Sequence, residues 1–362
     1  MSLETVVILA AGEGTRMKSS TPKVLHPISG RSLVGHVLHA VDALAPKHVR
    51  VVVGAGREQV EAHLSEVAPH VTTVFQEKRG GTGHATQLAL DGLKATGTFL
   101  VLAGDTPMLT GSSLAQLLEE HHAGGFTASV LTAEHPDPTG YGRIIRGDDD
   151  SLLRIVEERD ADELQRDILE VNSGVYAFDA VKLAGAIGKL KNDNSQGELY
   201  LTDVIEILRN EGGKIAAVLI DDFIEILGVN DRVQLAESAA LLRDRINEDL
   251  MRAGVTIVDP LSTWVDATAT VANDVVLMPG TAISGTTTVA TGAVIGPRTT
   301  LVDCTVGTGA RVIESRATEA IIGDGANVGP FTFLRPGTKL LPNSKVGAYV
   351  EMKNATLGEG SK

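Results

Sequence analysis

An α/β domain followed by a parallel β-helix is predicted for this 362-residue chain, and two patterns predict it. Up to about residue 228, short β-branched runs alternate with helical stretches, as in a mostly parallel sheet with helices on both faces. From Val265 the periodicity changes: Val265, Val271, Leu277, Ile283, Val289, Ile295 and Leu301 recur at every sixth position. Neither a helix nor an ordinary strand has that period, and a hexapeptide repeat marks a parallel β-helix. The expected domains are residues 1–228, a linker helix over 229–253, and a β-helix over 254–362.

The first strand is expected over Val6–Ala10, an apolar run suited to a buried parallel strand. Val49–Val53, Val71–Phe75, Phe99–Ala103 and Thr127–Leu131 read as further strands. Ser32 is placed to cap a helix whose inner face carries Leu33, Val34, Val37, Leu38, Val41 and Leu44. Thr86–Leu93 and Ser112–His122 read as two more helices. Over 231–253, Val233, Ala236, Ala240 and Leu241 fall near helical spacing, and Gly254 is a stop signal. In the repeat, small or polar residues such as Gly280, Thr281, Gly292 and Gly296 take the turns. After a slip near Val312–Ile322, read as an irregular coil, Ile322, Val328, Leu334, Leu340, Val346 and Met352 resume the step of six. A solenoid needs a polar closing cap. Gly358-Glu359-Gly360-Ser361-Lys362 is not one, so a truncated β-helix is expected.

Composition removes several classes. The net charge is −14 and aromatics are 3% of residues, which excludes the basic surface and stacking platforms of a nucleic-acid binder. No uninterrupted apolar run is long enough to span a membrane. The N-terminus enters a strand at once, without a secretory pattern. The lone Cys304 cannot form an internal disulfide, which fits a reducing, cytoplasmic setting, and it reads as a small buried residue. The ten histidines show no metal-binding spacing. His36, His39 and His84 read as packing or surface residues.

The stretch Leu9-Ala-Ala-Gly-Glu-Gly-Thr-Arg-Met-Lys-Ser-Ser-Thr-Pro-Lys23 follows the first strand directly. Gly12 and Gly14 permit a turn closed to bulkier residues and let backbone N–H groups approach a phosphate chain. Arg16 and Lys23 add two cations at its lip, suited to a polyanionic ligand. It is not a P-loop, because no Gly-Lys-Ser/Thr follows. Nor is it a dinucleotide fingerprint, because Met17 stands where a third Gly is needed. The whole string resembles the signature of the sugar-1-phosphate nucleotidyltransferases. With Pro22-Lys23-Val24-Leu25-His26, and with the hexapeptide repeat far downstream, it is similar to the bifunctional N-acetylglucosamine-1-phosphate uridylyltransferase/glucosamine-1-phosphate acetyltransferase family. The fold this resemblance implies is a Rossmann-like nucleotidyltransferase domain followed by a left-handed parallel β-helix.

Further residues are candidates on chemistry, and the resemblance gives each a role. Asp105, after a buried strand and Gly104, suits either a Mg²⁺ ligand beside phosphates or a cap of the turn past Pro107. Asn230 suits either a second hard oxygen ligand or a helix cap. The resemblance makes both metal ligands and makes Arg16 and Lys23 catalytic. Gln76-Glu77-Lys78-Arg79-Gly80-Gly81-Thr82 reads as a flexible basic loop or as a base-reading loop, since Gln76 carries a donor and an acceptor. The resemblance assigns nucleotide binding to Leu9, Ala10, Ala11, Gly12, Gln76, Gly81, Thr82, Ala103 and Gly104. It assigns sugar binding to Gly142, Glu157 and Asn172, where sequence alone shows only turns near strands. Arg335 and Lys353 read as solvated cations; by resemblance they bind a sugar phosphate at a second, acetyl-transfer site.

The reaction implied is Mg²⁺-dependent transfer of a uridylyl group from UTP to N-acetylglucosamine-1-phosphate, giving UDP-N-acetylglucosamine and pyrophosphate. A homotrimer and, for the full-length family, acetyl-CoA as a further substrate are also implied. No His follows Glu351-Met352-Lys353, where the family places its acetyl-transfer base, so that second activity is expected to be absent from this chain. The alternatives are a nucleotidyltransferase for another sugar phosphate, or a non-catalytic subunit of the same architecture. The latter should have lost Arg16, Lys23 and Asp105, and all three stand.

Overall fold

The computed structural model describes residues 2–362, which form two compact units. One comprises the residues up to His26 together with Ser32–Leu235; the other comprises Pro27–Arg31 and Ala236–Lys362.

The first unit is built on a nine-stranded sheet. Its strands are β1 (Leu3–Ala10), β4 (His48–Val53), β5 (Thr72–Phe75), β6 (Thr98–Ala103), β7 (Ala128–Glu134), β8 (Arg143–Arg146), β9 (Leu152–Val156), β10 (Glu170–Asp179) and β11 (Ile215–Ile220). The intervening β2 (Pro27–Ile28) and β3 (Arg31–Ser32) form a separate small hairpin. Val6, Val7 and Ile8 are fully buried on alternating sides of β1, which suits the centre of a parallel sheet covered on both faces. The order is β11-β7-β10-β6-β1-β4-β5. The chain therefore leaves β1 for β4 and β5 on one side, then crosses to β6 on the other, both neighbours running parallel to β1. That reversal is the place where α/β sheets bind ligands, beyond the carboxyl ends of the strands.

The helices are α1 (Leu33–Asp42), α2 (Arg57–Val67), α3 (Gly81–Leu90), α4 (Gly111–Gly124), α5 (Glu163–Arg166), α6 (Ala180–Ile187), α7 (Asp203–Asn210) and α8 (Arg232–Arg252). Ser32 caps α1 as expected, its hydroxyl accepting from the Gly35 N–H at 3.0 Å. Two outcomes differ from the sequence reading. Helix α3 starts at Gly81 rather than Thr86, because Gly81-Thr82-Gly83 is held as a first turn against Leu199, whose carbonyl accepts from Gly83 at 2.8 Å. At Gly81 φ is +91°, and a Cβ would stand 2.5 Å from the Leu199 oxygen, so only glycine fits. In α8 the expected face is not the buried one: Val233 is exposed, whereas Ser238, Leu242 and Asn247 are buried. Asn247 explains part of that choice, since its amide nitrogen donates to the carbonyls of Pro260 and Thr263 at 3.0 and 2.9 Å.

The second unit is a left-handed parallel β-helix of three six-stranded parallel sheets. Every step-six residue from Val265 to Val346 is buried, with Leu277, Ile283, Ile295, Leu301 and Leu334 at zero exposure. Each such side chain contributes about 1.5–3 kcal/mol by leaving water. The expected irregular coil is absent. Val306, Val312, Ala317 and Ile322 continue the three walls without a break. The slip is instead three walls one residue shorter than the rest, from Leu301 to Val306, Val312 to Ala317 and Ala317 to Ile322. Two residues before each inward side chain stands a small buried one, such as Thr281, Thr287, Ala293, Thr299, Cys304, Ala310, Ser315 or Thr338. These are the prism corners, where there is no room for a larger group. The corner hydroxyls of Thr281, Thr287 and Thr338 each donate to the carbonyl three residues back at 2.7 Å, which satisfies them. Among the described residues no helix is long and apolar enough to cross a membrane.

Candidate active site

At the carboxyl ends of β1, β5 and β6 the first unit encloses a cavity of about 400 Å³. Its wall includes Leu9, Ala10, Ala11, Gly12, Gln76, Gly81, Thr82 and Ala103, eight of the nine expected nucleotide contacts. Gly104 lies just behind, its N–H donating to the Leu9 carbonyl at 2.9 Å. The backbone after β1 thus lies open to the cavity. Gln76 is buried, and its amide nitrogen lies 3.2 Å from both the Gly81 carbonyl and His84 Nδ1, so its oxygen is the group left to meet a ligand. The Thr82 hydroxyl accepts from the Leu201 N–H at 3.0 Å, tying the loop after β5 to the segment before α7.

The cationic end is built by Lys23, Asp105 and Asn230. The Lys23 ammonium donates to Asp105 Oδ2 and, at 3.1 Å, to Asn230 Oδ1. Gly14 makes this possible: its φ is +59°, and a Cβ there would stand 2.6 Å from that of Lys23. The short 3₁₀ turn Lys23–Leu25 then points the side chain into the cavity. Arg16 belongs to another 3₁₀ turn, Thr15–Met17, and stands exposed outside the cavity lining.

A carboxylate and an amide oxygen converging on one cation is a hard-oxygen donor pair. No cluster of three or more His, Cys, Asp or Glu able to hold a metal occurs among the described residues. A carboxylate with an amide oxygen fits a hard divalent cation that keeps most of its shell for water and phosphate. A closed protein-only metal site is not what this geometry offers.

Glu157, Asn172, Tyr176 and Thr202 form another part of the wall. The Thr202 hydroxyl donates to Glu157 Oε1 at 3.2 Å. Burial pushes the Glu157 carboxyl above the usual range; the Thr202 bond pulls the other way, and Asp203 and Asp160 add to the rise. Asp203 itself is raised to about 6 by burial and then by Glu206, Asp193 and Asp160. Gly142 is not in the lining but abuts it: a Cβ there would lie 3.5 Å from that of Asn172 and 3.6 Å from Glu157 Oε2. The three expected sugar contacts therefore come together, although they stem from β10 and the ends flanking β8 and β9.

Several lining residues went unnoticed in the sequence. Tyr176 was legible in principle, since Asn172, Gly174 and Tyr176 follow period two along β10. Thr202, Leu201 and Glu198 carry no local signal; they reach the cavity because Gly80–Gly83 pairs with that segment. In the second unit, Arg335 Nη1 donates to Glu351 Oε1 at 2.8 Å and Lys353 is exposed. Neither cation lines the shallow cavity of that unit, whose wall includes Arg298, Phe331, Phe333 and Tyr349.

A family model for MobA-like NTP transferase domains matches residues 6–175, the part of the chain that carries most of this cavity. The curated relatives called Bifunctional protein GlmU match almost the whole chain. The protein from Streptomyces avermitilis is 54% identical over 360 residues, covering 99% of this chain and 75% of the relative. That from Mycolicibacterium vanbaalenii is 53% identical over 363 residues, covering 99% and 74%. That from Corynebacterium efficiens is 51% identical over 366 residues, covering 100% and 75%. Identity at this level, running through both units and both kinds of sequence pattern, makes the chain a member of the GlmU family of bifunctional enzymes and a UDP-N-acetylglucosamine diphosphorylase.

Proposed function

We propose that the first unit joins UTP to N-acetylglucosamine-1-phosphate, releasing pyrophosphate and UDP-N-acetylglucosamine, with Mg²⁺ as the metal. The observation that carries this reading is the convergence of Lys23, Asp105 and Asn230 at the end of a cavity whose backbone-lined part suits a nucleotide. A phosphate oxygen of the sugar phosphate attacks the α-phosphorus of UTP, forming one P–O bond as the bond to pyrophosphate breaks. No covalent enzyme intermediate is needed, so catalysis is positioning and charge neutralisation.

The residues divide that work. Gln76, Gly81 and Thr82 hold the base, and Leu9–Gly12 and Gly104 hold the ribose and phosphates. Gly142, Glu157 and Asn172 hold the amino sugar. Asp105 and Asn230 are the residues that would hold Mg²⁺, which when bound would offset the repulsion among the reactants' phosphates. Lys23, whose ammonium donates to the same two oxygens, stabilises charge on the reacting phosphorus and on the leaving pyrophosphate. Arg16, exposed at the lip, does so from the solvent side once phosphate is bound. The test is pyrophosphate release across a panel of nucleoside triphosphates and sugar phosphates. UTP with N-acetylglucosamine-1-phosphate should exceed every other pair, and a preference for another pair would reassign the pocket.

The same reading places the enzyme in the cytoplasm as a homotrimer held through outward faces of the β-helix. The inward side chains are spent on each prism's own core. Light scattering showing a concentration-independent monomer would refute the trimer. Arg335 and Lys353 would bind the sugar phosphate of the family's acetyl transfer.

A further inference from the structure

We propose that Tyr176 is a positioning residue of the sugar end of the pocket: its phenol fixes the side-chain amide of Asn172 in one orientation, so that the amide meets the sugar phosphate as a donor. The proposal rests on the reading of Asn172 as a sugar contact.

An asparagine amide has two orientations of nearly equal shape and opposite hydrogen-bonding sense. Here the Gly174 N–H decides between them, and the Tyr176 hydroxyl, able to accept or donate, holds the end that remains. The Gly174 N–H donates to Asn172 Oδ1 at 3.0 Å, and a backbone N–H can face only an oxygen. Asn172 Nδ2 in turn donates to the Tyr176 hydroxyl at 2.7 Å. A flipped amide would set N–H against N–H at Gly174. The oxygen is thus occupied inside the strand, one amide hydrogen is spent on Tyr176, and the second is the group available to a ligand.

Backbone geometry brings these three residues together. Asn172, Gly174 and Tyr176 alternate along β10, and the pairing of β10 with β7 shifts register between Asn172 and Tyr176. Within that irregularity Gly174 adopts φ +77°, which frees its N–H for the side chain of Asn172. The phenol is suited to hold the amide. Tyr176 is 3% exposed, its ring stacks on Phe178 at 5.7 Å, and it also lines the cavity. Burial, and next the charge of Glu157, push its ionisation well above the ordinary tyrosine range. The hydroxyl therefore stays neutral at every working pH, accepts from Asn172 and keeps its own hydrogen.

The ligand class follows from this polarity. The Asn172 face of the pocket offers hydrogens, and the matching group is an acceptor oxygen of a hydroxylated or acylated sugar ring. Without the phenol the amide keeps only its bond from Gly174, and the direction of its free N–H is no longer set.

Tyr176→Phe, Asn172→Ala and the double variant test this by steady-state kinetics, with N-acetylglucosamine-1-phosphate and UTP varied in turn and melting temperatures measured alongside. Tyr176→Phe should raise KM for the sugar phosphate about tenfold, the size of one lost hydrogen bond, and leave KM for UTP and the melting temperature unchanged. In the Asn172→Ala background it should add nothing further, since Tyr176 acts through that amide. An unchanged sugar-phosphate KM in Tyr176→Phe, with a raised one in Asn172→Ala, overturns the proposal and leaves the sugar reading standing. So do additive effects in the double variant, or equal rises in both KM values with a lower melting temperature. If Asn172→Ala itself leaves the sugar-phosphate KM unchanged, the sugar reading fails and the proposal falls with it.

Discussion

In the β-helix every inward position meets the same surroundings and asks for the same kind of residue. In the cavity of the first unit the lining residues differ in kind and in the partners that hold them. Leu277, Ile295 and Leu334 are interchangeable in kind: each fills a prism layer between like neighbours. Lys23, Gln76 and Asn172 are not, because each is held by different partners from different parts of the chain. The first arrangement draws its stability from repetition and its residues tolerate exchange of like for like. The second draws specificity from singular hydrogen bonds, and one lost atom changes what it binds.

Substitutions should separate the two regimes, beginning with the largest effect. Leu301→Ala empties a fully buried layer and should cost the second unit about 2–5 kcal/mol, read as a lower denaturant midpoint. The kcat for pyrophosphate release, measured where the variant is still folded, should not move; a parallel loss of kcat would break the contrast. Lys23→Ala should do the reverse, lowering kcat about a hundredfold with a smaller change in KM and an unaltered melt. A variant with near-normal kcat would reduce Lys23 to a surface charge.

Asp105→Asn keeps the shape and removes the charge that faces Lys23. Activity should fall, and the Mg²⁺ concentration for half-maximal rate should rise about tenfold, as expected when a hard carboxylate ligand is lost. An unchanged Mg²⁺ titration would make Asp105 a turn residue only. A smaller effect is expected from pH. His121 is buried under β7, with Nδ1 2.9 Å from the Ser129 hydroxyl. Its pKa is lowered from 6.5 to about 4, by burial first and then by His122, with Asp179 opposing. The unfolded chain takes up the proton before the folded one, so this contribution is complete above about pH 6.5 and is lost as pH falls toward 4. His121→Asn should flatten that part of the stability curve for the first unit, and an unchanged slope would show that other groups set it. The smallest effect belongs to Cys304→Ala, since Ala already occupies the same corner one coil on, at Ala320. A change well under 1.5 kcal/mol is expected in the midpoint of the second unit.

The same contrast governs how much the sequence reveals. The β-helix was legible because its rule is local and repeated; only the three shortened walls were misread, as one irregular coil. The central strands were legible because β1, β4 and β6 are buried on both faces. Helix α2 was not, because Val60 and Leu64 are its only buried residues and two anchors make no period. The pocket was legible in its first loop and scarcely elsewhere. Asp105 and Asn230 lie 82 and 207 residues from Lys23, and no spacing rule joins them. Family resemblance supplied that grouping, and the fold supplies its physical cause. Thr202 and Tyr176 escaped both, since they act through neighbouring side chains.

The hairpin of β2 and β3 carries a consequence for dissecting or exchanging the two units. Pro27–Arg31 belongs to the second unit, so the chain passes between the units at three places. Within that unit the Ser29 carbonyl accepts from the Ala267 N–H at 2.9 Å, and Gly30 lies against Asp266 and Thr268 so closely that a Cβ would clash. A cut at residue 235 would therefore not yield two complete modules. The C-terminal fragment would lack a piece of its first coil, and the N-terminal fragment would carry a hairpin without its partner. Recombination between homologues at that junction would have to match Ser29 and Gly30 with the Asp266–Thr268 corner.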